Sequence, residues 1–113
     1  MVSSSEFIRG YTEMIILSLL LKEDDYIYNL SNKINERSKG ILCITNPSLV
    51  ISLKKMCDEG KVSTYNKLNE KNVNRKYYSI TELGKSFYYD NKEDYLLSVK
   101  MLEALIGGEE NER

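Results

Sequence analysis

The chain has 113 residues, which is enough for one domain with a modest hydrophobic core but not for two. Its 42% hydrophobic and 29% charged residues predict a globular fold, and no apolar run reaches the roughly 20 residues that a membrane-spanning helix needs. It contains no histidine and two cysteines, so no disulfide scaffold, metal site or cofactor is expected, and the commonest catalytic base is missing. The N-terminus lacks the positive flank of a signal peptide. We therefore expect a cytoplasmic protein that is not an enzyme and does not bind membranes.

The charge of the chain is small but unevenly distributed. The formal net charge is −1, yet residues 54–76 carry a net charge of +4, residues 1–53 carry −1 and residues 77–113 carry −4. Positive charge gathered in one segment suits a surface that faces phosphates. A solvated lysine-rich loop would give the same pattern, so charge alone leaves both interpretations open.

Apolar spacing predicts two helices in the first third of the chain. The first runs over about residues 5–22, and its segment 14–21 is apolar almost all round, so it needs partners on two sides. One partner is the core of the domain. The other is a second subunit or, alternatively, more of the core of a monomer. Asp24 or Asp25 is the candidate N-cap of the second helix, at about residues 26–38.

A short strand at residues 41–44 leads into a third helix. Thr45 or Asn46 is its candidate N-cap, and Pro47 lies in its first turn, where a missing N–H costs nothing. Its outer face is largely polar. Two helices joined by a few residues, the second with a polar outer face, are typical of a helix-turn-helix. The predicted buried stripe of this helix is Leu49, Leu53 and Met56, helped by Val50 and Cys57.

Two alternating segments after the third helix predict a β-ribbon. Residues 61–66 and 74–80 are its antiparallel strands, and residues 67–73 are a polar tip with two turn-forming asparagines. A basic ribbon that follows a helix-turn-helix is a wing, which can lie along the phosphate backbone or enter the minor groove. The fold class predicted for the chain is therefore α+β, mainly helical: a winged helix-turn-helix.

A fourth helix follows the wing and runs to about residue 106. Thr81 is its N-cap and Gly84 lies in its first turn. Its broad apolar face needs a cover that the preceding closed unit does not supply, and a second copy of the chain is the simplest candidate. We thus predict a winged-helix domain at residues 1–80 whose N-terminal helix also joins the dimer interface. A dimerisation helix at residues 81–106 and a disordered tail at residues 107–113 complete the chain.

Four segments carry a resemblance to a known family. The most specific is Arg75-Lys76-Tyr77-Tyr78-Ser79-Ile80-Thr81-Glu82-Leu83-Gly84, and residues 8–17, 24–30 and 53–62 precede it at matching spacing. Together they resemble the PadR family of bacterial transcriptional regulators. That family typically has Arg-(Arg/Lys)-Tyr-Tyr-x-Leu-Thr-x-x-Gly at the position of residues 75–84. The resemblance covers residues 6–106. It is to a short branch of the family that includes a multidrug-binding repressor.

The resemblance implies a homodimeric repressor that binds double-stranded DNA at a pseudo-palindromic operator. The third helix of each subunit would enter a major groove, with half-sites about one helical turn apart. The family usually has a Tyr and then a Pro or small residue where this chain has Val50 and Ile51. If these two are exposed, they favour an alternative, a protein-interaction module with weakened DNA binding. The candidate DNA-binding residues are Asn46, Ser48, Lys54, Lys55, Lys71, Asn74, Arg75 and Lys76.

The same branch of the family implies a site for a planar aromatic small molecule between the first and last helices of two subunits. A Trp of the last helix stacks on the ligand in that branch, and Tyr95 stands at the matching position here. Glu13 could offset a positive charge on the ligand. Alternatively, Tyr95 only packs the dimer interface. The other candidate ligand-binding residues are Phe7, Gly10, Met14, Phe87, Asn91 and Val99.

Overall fold

Four α-helices and two pairs of short strands form the computed structural model, which describes residues 2–3 and 11–107. None of the helices in these ranges is long and apolar enough to cross a membrane. The order of elements agrees with the winged helix predicted from the sequence. The elements are β1 (Val2–Ser3), α1 (Thr12–Leu20), α2 (Ile27–Arg37), β2 (Leu42–Cys43), α3 (Asn46–Asp58), β3 (Val62–Leu68), β4 (Asn74–Ile80) and α4 (Glu82–Leu102), and α4 continues into one π-helical turn, Glu103–Gly107.

Helix α1 lies at the centre of the hydrophobic core. Ile16 and Leu17 are fully buried, and α2, α3, β4 and α4 all pack against the helix. The chain itself therefore covers much of the apolar surface of α1, as a core helix in one subunit would require. The α-helix begins at Thr12. The predicted start near residue 5 lies outside the described residues.

The polar segment before α2 joins the wing instead of capping the helix. The backbone of Asp25 exchanges two hydrogen bonds with Tyr78 of β4, at 3.2 Å and 2.8 Å, and Asp25 is only 4% exposed. Its carboxylate forms an ion pair with Lys33 of α2. The predicted capping by Asp24 or Asp25 is wrong, because Tyr26 occupies the N-cap position and makes no side-chain cap. The backbone pairing of Asp25 with β4 delays the start of the helix by one residue.

Helix α3 starts at a side-chain cap, as the sequence predicted. Thr45 Oγ1 accepts a hydrogen bond from the N–H of Ser48 at 3.3 Å, and Pro47 lies in the first turn. Just before it, the predicted strand forms as β2, which pairs in parallel with β1. The buried side of α3 is formed by three fully buried residues, Leu49, Leu53 and Met56. This anchoring fixes which side of the helix faces outward.

The wing is an antiparallel ribbon of seven residue pairs, from Val62 opposite Ile80 to Leu68 opposite Asn74. Val62 is buried at its root, and most of the ribbon beyond the root is exposed. Strand β3 runs two residues further than the predicted end at residue 66. The ladder of backbone hydrogen bonds is therefore longer than the alternation of residue types indicates.

The tip of the wing is a hydrogen-bonded turn. Asn69 Oδ1 accepts hydrogen bonds from the N–H groups of Lys71 (2.8 Å) and Val73 (2.9 Å). Asn72 has a positive φ of 61°, a left-handed conformation that asparagine adopts more readily than most residues. The two asparagines that predicted a turn-rich tip thus have separate roles in closing it.

Helix α4 is anchored at its first turn, packs against the domain as far as Tyr95 and then projects beyond it. Thr81 Oγ1 accepts from the N–H of Gly84 at 3.0 Å and donates to the carbonyl of Gly60 at 2.6 Å, which confirms the predicted cap. Gly84 is the only buried residue of the helix, and a Cβ there would overlap the carbonyl oxygen of Lys61. The projecting helix makes the molecule 60 Å long but only 29 Å by 21 Å across.

Candidate nucleic-acid interface

The outward face of α3 is apolar at its centre and polar at its ends. Val50 is 45% exposed and Ile51 is 72% exposed. The prediction that Val50 helps the buried stripe is therefore wrong, because Leu49, Leu53 and Met56 make the core contacts of α3 and leave Val50 at the edge of that stripe. Asn46 is exposed in the first turn, while the hydroxyl of Ser48 is half-buried and receives a hydrogen bond from Thr45 Oγ1 at 3.0 Å. The hydroxyl of Ser48 is therefore already engaged in a hydrogen bond with the N-cap residue. Asn46 has the freer polar side chain at this end of the helix.

The two lysines of α3 are engaged in ion pairs within the subunit. Lys54 pairs with Asp58 one turn later, at 3.3 Å. Lys55 pairs with Glu13 of α1 and lies 3.7 Å from Glu59. A charge that is already paired gives up part of that interaction before it can neutralise a phosphate. These two side chains are thus weaker candidates for phosphate contact than the sequence alone indicates.

The basic residues of the wing are not paired in this way. Within the described residues, no carboxylate lies within ion-pair distance of Lys67, Lys71, Arg75 or Lys76. Their register places Lys67 opposite Arg75, and Lys76 is the next residue along β4. The wing therefore carries unneutralised positive charge on both of its faces, with Lys67 and Arg75 on one face and Lys76 on the other. Asn74, at the end of β4, is exposed next to this group.

Aromatic rings support these wing cations. Tyr65 and Tyr77 face each other across the ribbon with ring centroids 5.6 Å apart, and Tyr26 meets Tyr77 edge-on at 5.3 Å. Lys67 Nζ lies 5.4 Å from the Tyr77 centroid, and the Arg75 guanidinium lies 5.6 Å from that of Tyr26. A cation over an aromatic face is attracted by the ring without losing its charge. The rings can thus orient these side chains and leave them able to bind an anion.

The phenol of Tyr65 ties this row of rings to the segment before α2. Its hydroxyl donates to Asp24 Oδ2 at 2.7 Å, and that hydrogen bond to the protonated phenol raises the pKa of Tyr65 to about 12. The sequence analysis missed the row. The signal was available, because Tyr65 and Tyr77 are cross-strand partners in the predicted ribbon.

A group of charges lies behind α3, where α1, α3 and the start of α4 meet. Glu13 accepts from Lys55 and from Lys61, the latter at 3.2 Å, and Lys61 also pairs with Glu59 at 3.0 Å. The Lys61 ammonium lies 3.6 Å from the centroid of the Phe87 ring of α4. Burial alone would raise the pKa of Glu13, but the hydrogen bonds and charges of the two lysines outweigh burial and lower it. Glu13 is therefore a stable anion that holds three elements together.

The structure places the candidate ligand-binding residues in different surroundings. Phe7 and Gly10 lie outside the described residues, and Met14 is buried in the core. Asn91 donates to the carbonyl of Phe87 at 2.8 Å, and Tyr95 packs edge-on against Tyr11 with centroids 5.3 Å apart. Val99, further along α4, is exposed. The structure brings Glu13 and Phe87 together through Lys61, a residue that the sequence analysis did not single out.

The fold and the basic wing together define a class of protein. A helix-turn-helix with a basic ribbon beside its second helix is a winged helix, a fold typical of DNA-binding proteins. The comparisons with known proteins then identify the family. Residues 16–90 match the transcriptional regulator PadR-like family. The chain belongs to this family.

Solved structures agree with that assignment. A transcriptional regulator from Clostridium thermocellum is 30% identical, with a TM-score of 0.80 over 90% of this chain and 99% of the other. A PadR family transcription regulator from Clostridium difficile is 26% identical, with a TM-score of 0.73 over 86% and 99% of the two chains. Bacillus subtilis PadR in complex with operator DNA is 24% identical, with a TM-score of 0.62 over 70% of this chain and 45% of the other, and shows the shared fold. The predicted fold class is confirmed.

Family membership also decides two broader predictions. The chain is a PadR-family transcriptional regulator, which confirms that it is not an enzyme. The resemblance to the multidrug-binding branch and the roles of the individual site residues stay predictions.

Proposed function

We propose that the chain is a homodimeric repressor that binds double-stranded DNA through α3 and the wing. The observation that carries this proposal is the group of basic residues on the wing, Lys67, Arg75 and Lys76, which have no carboxylate partners in the described part of the chain. A phosphate backbone is the polyanion that such a group fits. The structure of Bacillus subtilis PadR in complex with operator DNA supports the proposal, because that protein shares the fold.

The proposed dimer rests on α4. After the buried Gly84 the helix carries apolar side chains that nothing in the described residues covers. An exposed apolar face of this length marks an interaction surface, and self-association would bury two copies of it at once. Two α3 helices related by a two-fold axis would then fit a pseudo-palindromic operator. The exposed apolar residues in the second half of α4 and its last turn are Leu96, Leu97, Val99, Met101, Leu102, Leu105 and Ile106.

The response to a planar aromatic ligand is the finer part of the proposal. Tyr11, at the start of α1, and Tyr95 of α4 form an aromatic pair, and Phe87 lies about two turns before Tyr95 on the same helix. Aromatic rings on the two helices proposed for the dimer interface are suitable stacking partners for a planar molecule. Glu13, an anion near Phe87, would favour a cationic ligand, although Lys55 and Lys61 already neutralise part of its charge.

A second candidate function also has an observation in its favour. Ile51 and Val50 are exposed, the condition under which the sequence favoured a protein-interaction module. Direct measurement of DNA binding separates the two functions. The repressor requires tight, salt-sensitive binding to duplex DNA, and the interaction module does not.

Fluorescence anisotropy with a DNA duplex from the chain's own promoter tests the proposal. The logarithm of the association constant should fall linearly with the logarithm of the salt concentration, with a slope of about −0.9 for each phosphate contacted. The double substitution Arg75→Ala with Lys76→Ala should make that slope shallower by about 2, because two phosphate contacts are lost. The matched control is Lys92→Ala with Lys100→Ala, which removes the same charge from the exposed side of α4. Salt-insensitive binding, or equal slopes for both double variants, contradicts the proposal.

A further inference from the structure

The middle of the outward face of α3 offers methyl groups where a DNA-reading helix often offers hydrogen-bonding groups. Ile51 is the most exposed large apolar residue in the described part of the chain, and Val50 beside it is also exposed. The burial of Leu49 and Leu53 fixes the rotation of the helix, so neither aliphatic side chain can turn into the core. Two adjacent β-branched aliphatic side chains on the outward face of a helix are suited to contact with an apolar group.

The polar groups on this face lie at its two ends. Asn46 stands one turn before Val50, and the hydroxyl of Ser48 is engaged by Thr45 at 3.0 Å. Lys54 follows Ile51 by one turn and pairs with Asp58 at 3.3 Å. Hydrogen bonding to base edges is therefore restricted to the ends of the face. Its centre can read bases only through van der Waals contact.

Duplex DNA has one apolar group that is accessible in the major groove, the 5-methyl group of thymine. We propose that Val50 and Ile51 recognise thymine methyl groups at the centre of each half-site. The inference rests on the proposed function and deepens it, because it names the base feature that selects the operator. It implies that A·T pairs face the middle of α3, whatever bases Asn46 and Lys54 contact on either side.

The surroundings of the two residues favour DNA over a protein as the occupant. The segment of residues 54–76, which includes the end of α3 and the wing, carries a net charge of +4. The wing that follows α3 carries cations that have no carboxylate partners within the described residues. The centre of a protein–protein interface is depleted in charged residues. Two aliphatic side chains next to a basic segment form a smaller and more charged surface than such a centre. The larger apolar surface of the described residues lies in the second half of α4.

Deletion of the thymine methyl group provides a direct test, since uracil lacks only that group. The full chain is first used to select binding sites from a pool of random DNA duplexes. The selected duplex is then synthesised with deoxyuridine in place of thymidine at one position at a time. At one or two positions in each half-site, uracil should weaken binding about three- to tenfold, which corresponds to the loss of one buried methyl contact.

Ile51→Ala connects that effect to α3. At the position that Ile51 contacts, this variant should bind the thymine and uracil duplexes with similar affinity, because its side chain is too short to reach the methyl group. The exposed Ile51 contributes no core packing, so the variant is expected to fold. Ile41→Ala makes the same chemical change at another exposed isoleucine, before α3, and should keep the full preference for thymine.

The possible failures are distinguishable. If the chain binds selected duplexes tightly but uracil has no effect at any position, the inference is overturned and the proposed function stands. If Ile51→Ala and Val50→Ala each leave the preference for thymine unchanged at every position, the methyl contacts belong to other residues and the inference is also overturned. If Ile51→Ala instead weakens self-association in analytical ultracentrifugation, the two residues form a protein contact. Failure to select any duplex would contradict the proposed function itself.

Discussion

The winged-helix unit and helix α4 use apolar residues in opposite ways. In the unit, Leu17, Leu49 and Leu53 are fully buried around α1, so this part of the chain closes its own core. In the 21 residues of α4, Gly84 is the only buried residue, and aliphatic side chains continue exposed to its end. The two regions have similar hydrophobic patterns, but the chain buries the apolar side chains of the first region and leaves those of α4 exposed. An amphipathic pattern predicts that a helix has an apolar face, but it does not identify the partner.

The joint between the two regions is small and depends on close backbone approach. Gly84 lets α4 pass against the carbonyl of Lys61, and the Thr81 cap and the Lys61–Phe87 contact are the neighbouring attachments. Each attachment lies within the first two turns of the helix. The variants below separate the joint, the exposed face and the charges that support them.

Gly84→Ala should have the largest effect, because it breaks the joint. The added Cβ would overlap the Lys61 carbonyl and come within 2.8 Å of Ile80 Cγ1, so α4 or the end of β4 must shift. Overpacking of this kind should lower the free energy of unfolding by about 3 kcal/mol. Urea denaturation followed by circular dichroism measures the change. Gly107→Ala is the control, since its nearest neighbour is a side-chain atom at 3.9 Å, and equal stability of the two variants would show that the close approach does not hold α4.

Val99→Glu with Leu102→Glu tests whether a second copy covers α4. Buried carboxylates without partners, repeated in both subunits, should weaken the dimer at least about 100-fold and leave each winged-helix unit folded. Sedimentation equilibrium measures the dissociation constant. The matched control is Leu68→Glu with Val73→Glu, which makes the same changes at exposed positions of the wing. The proposed interface is wrong if both double variants remain dimers.

Tyr95→Ala separates a ligand site from simple packing of the interface. With ethidium as a planar cationic probe, loss of ring stacking should weaken binding about tenfold, while Tyr95→Phe should retain it. Fluorescence titration of the full chain without DNA measures both affinities. If Tyr95 only packs the interface, Tyr95→Ala will weaken the dimer instead, and ethidium will bind all three proteins equally or not at all.

Glu13→Gln should have the smallest effect and a defined pH dependence. The pKa of Glu13 in the folded chain is lowered, so its ion pairs contribute stability above its ordinary pKa of about 4.5 and lose it as the pH falls through and below that value. At pH 7 the variant should lose about 1 kcal/mol of unfolding free energy, and the difference from the unmodified chain should vanish towards pH 3. Urea denaturation across this range measures it. Glu70→Gln, at the exposed tip of the wing, is the control and should change little; a difference that persists at low pH would contradict a role for the charge of Glu13.

Local features of the fold were predictable because short-range interactions decide them. Thr45 and Thr81 cap helices through the N–H groups three residues later, and Asn69 and Asn72 close the wing tip within five residues. These hydrogen bonds depend on the neighbouring sequence and little else. The predicted capping of α2 by Asp25 is wrong for the opposite reason. The backbone of Asp25 pairs with that of Tyr78, 53 residues later in the chain, and this long-range pairing overrides the local capping preference.

The sequence by itself determined the winged helix, its outward-facing helix, the basic segment and the family. Tertiary structure alone decided which charges are available. Lys55 and Arg75 are both basic residues of that segment, yet Lys55 is paired with Glu13, 42 residues away in the chain, and Arg75 lies over an aromatic ring. Periodicity places a side chain on a face of its helix or strand. Whether that side chain meets a carboxylate depends on how distant elements pack, and ion pairs between them form only once the core has fixed their positions.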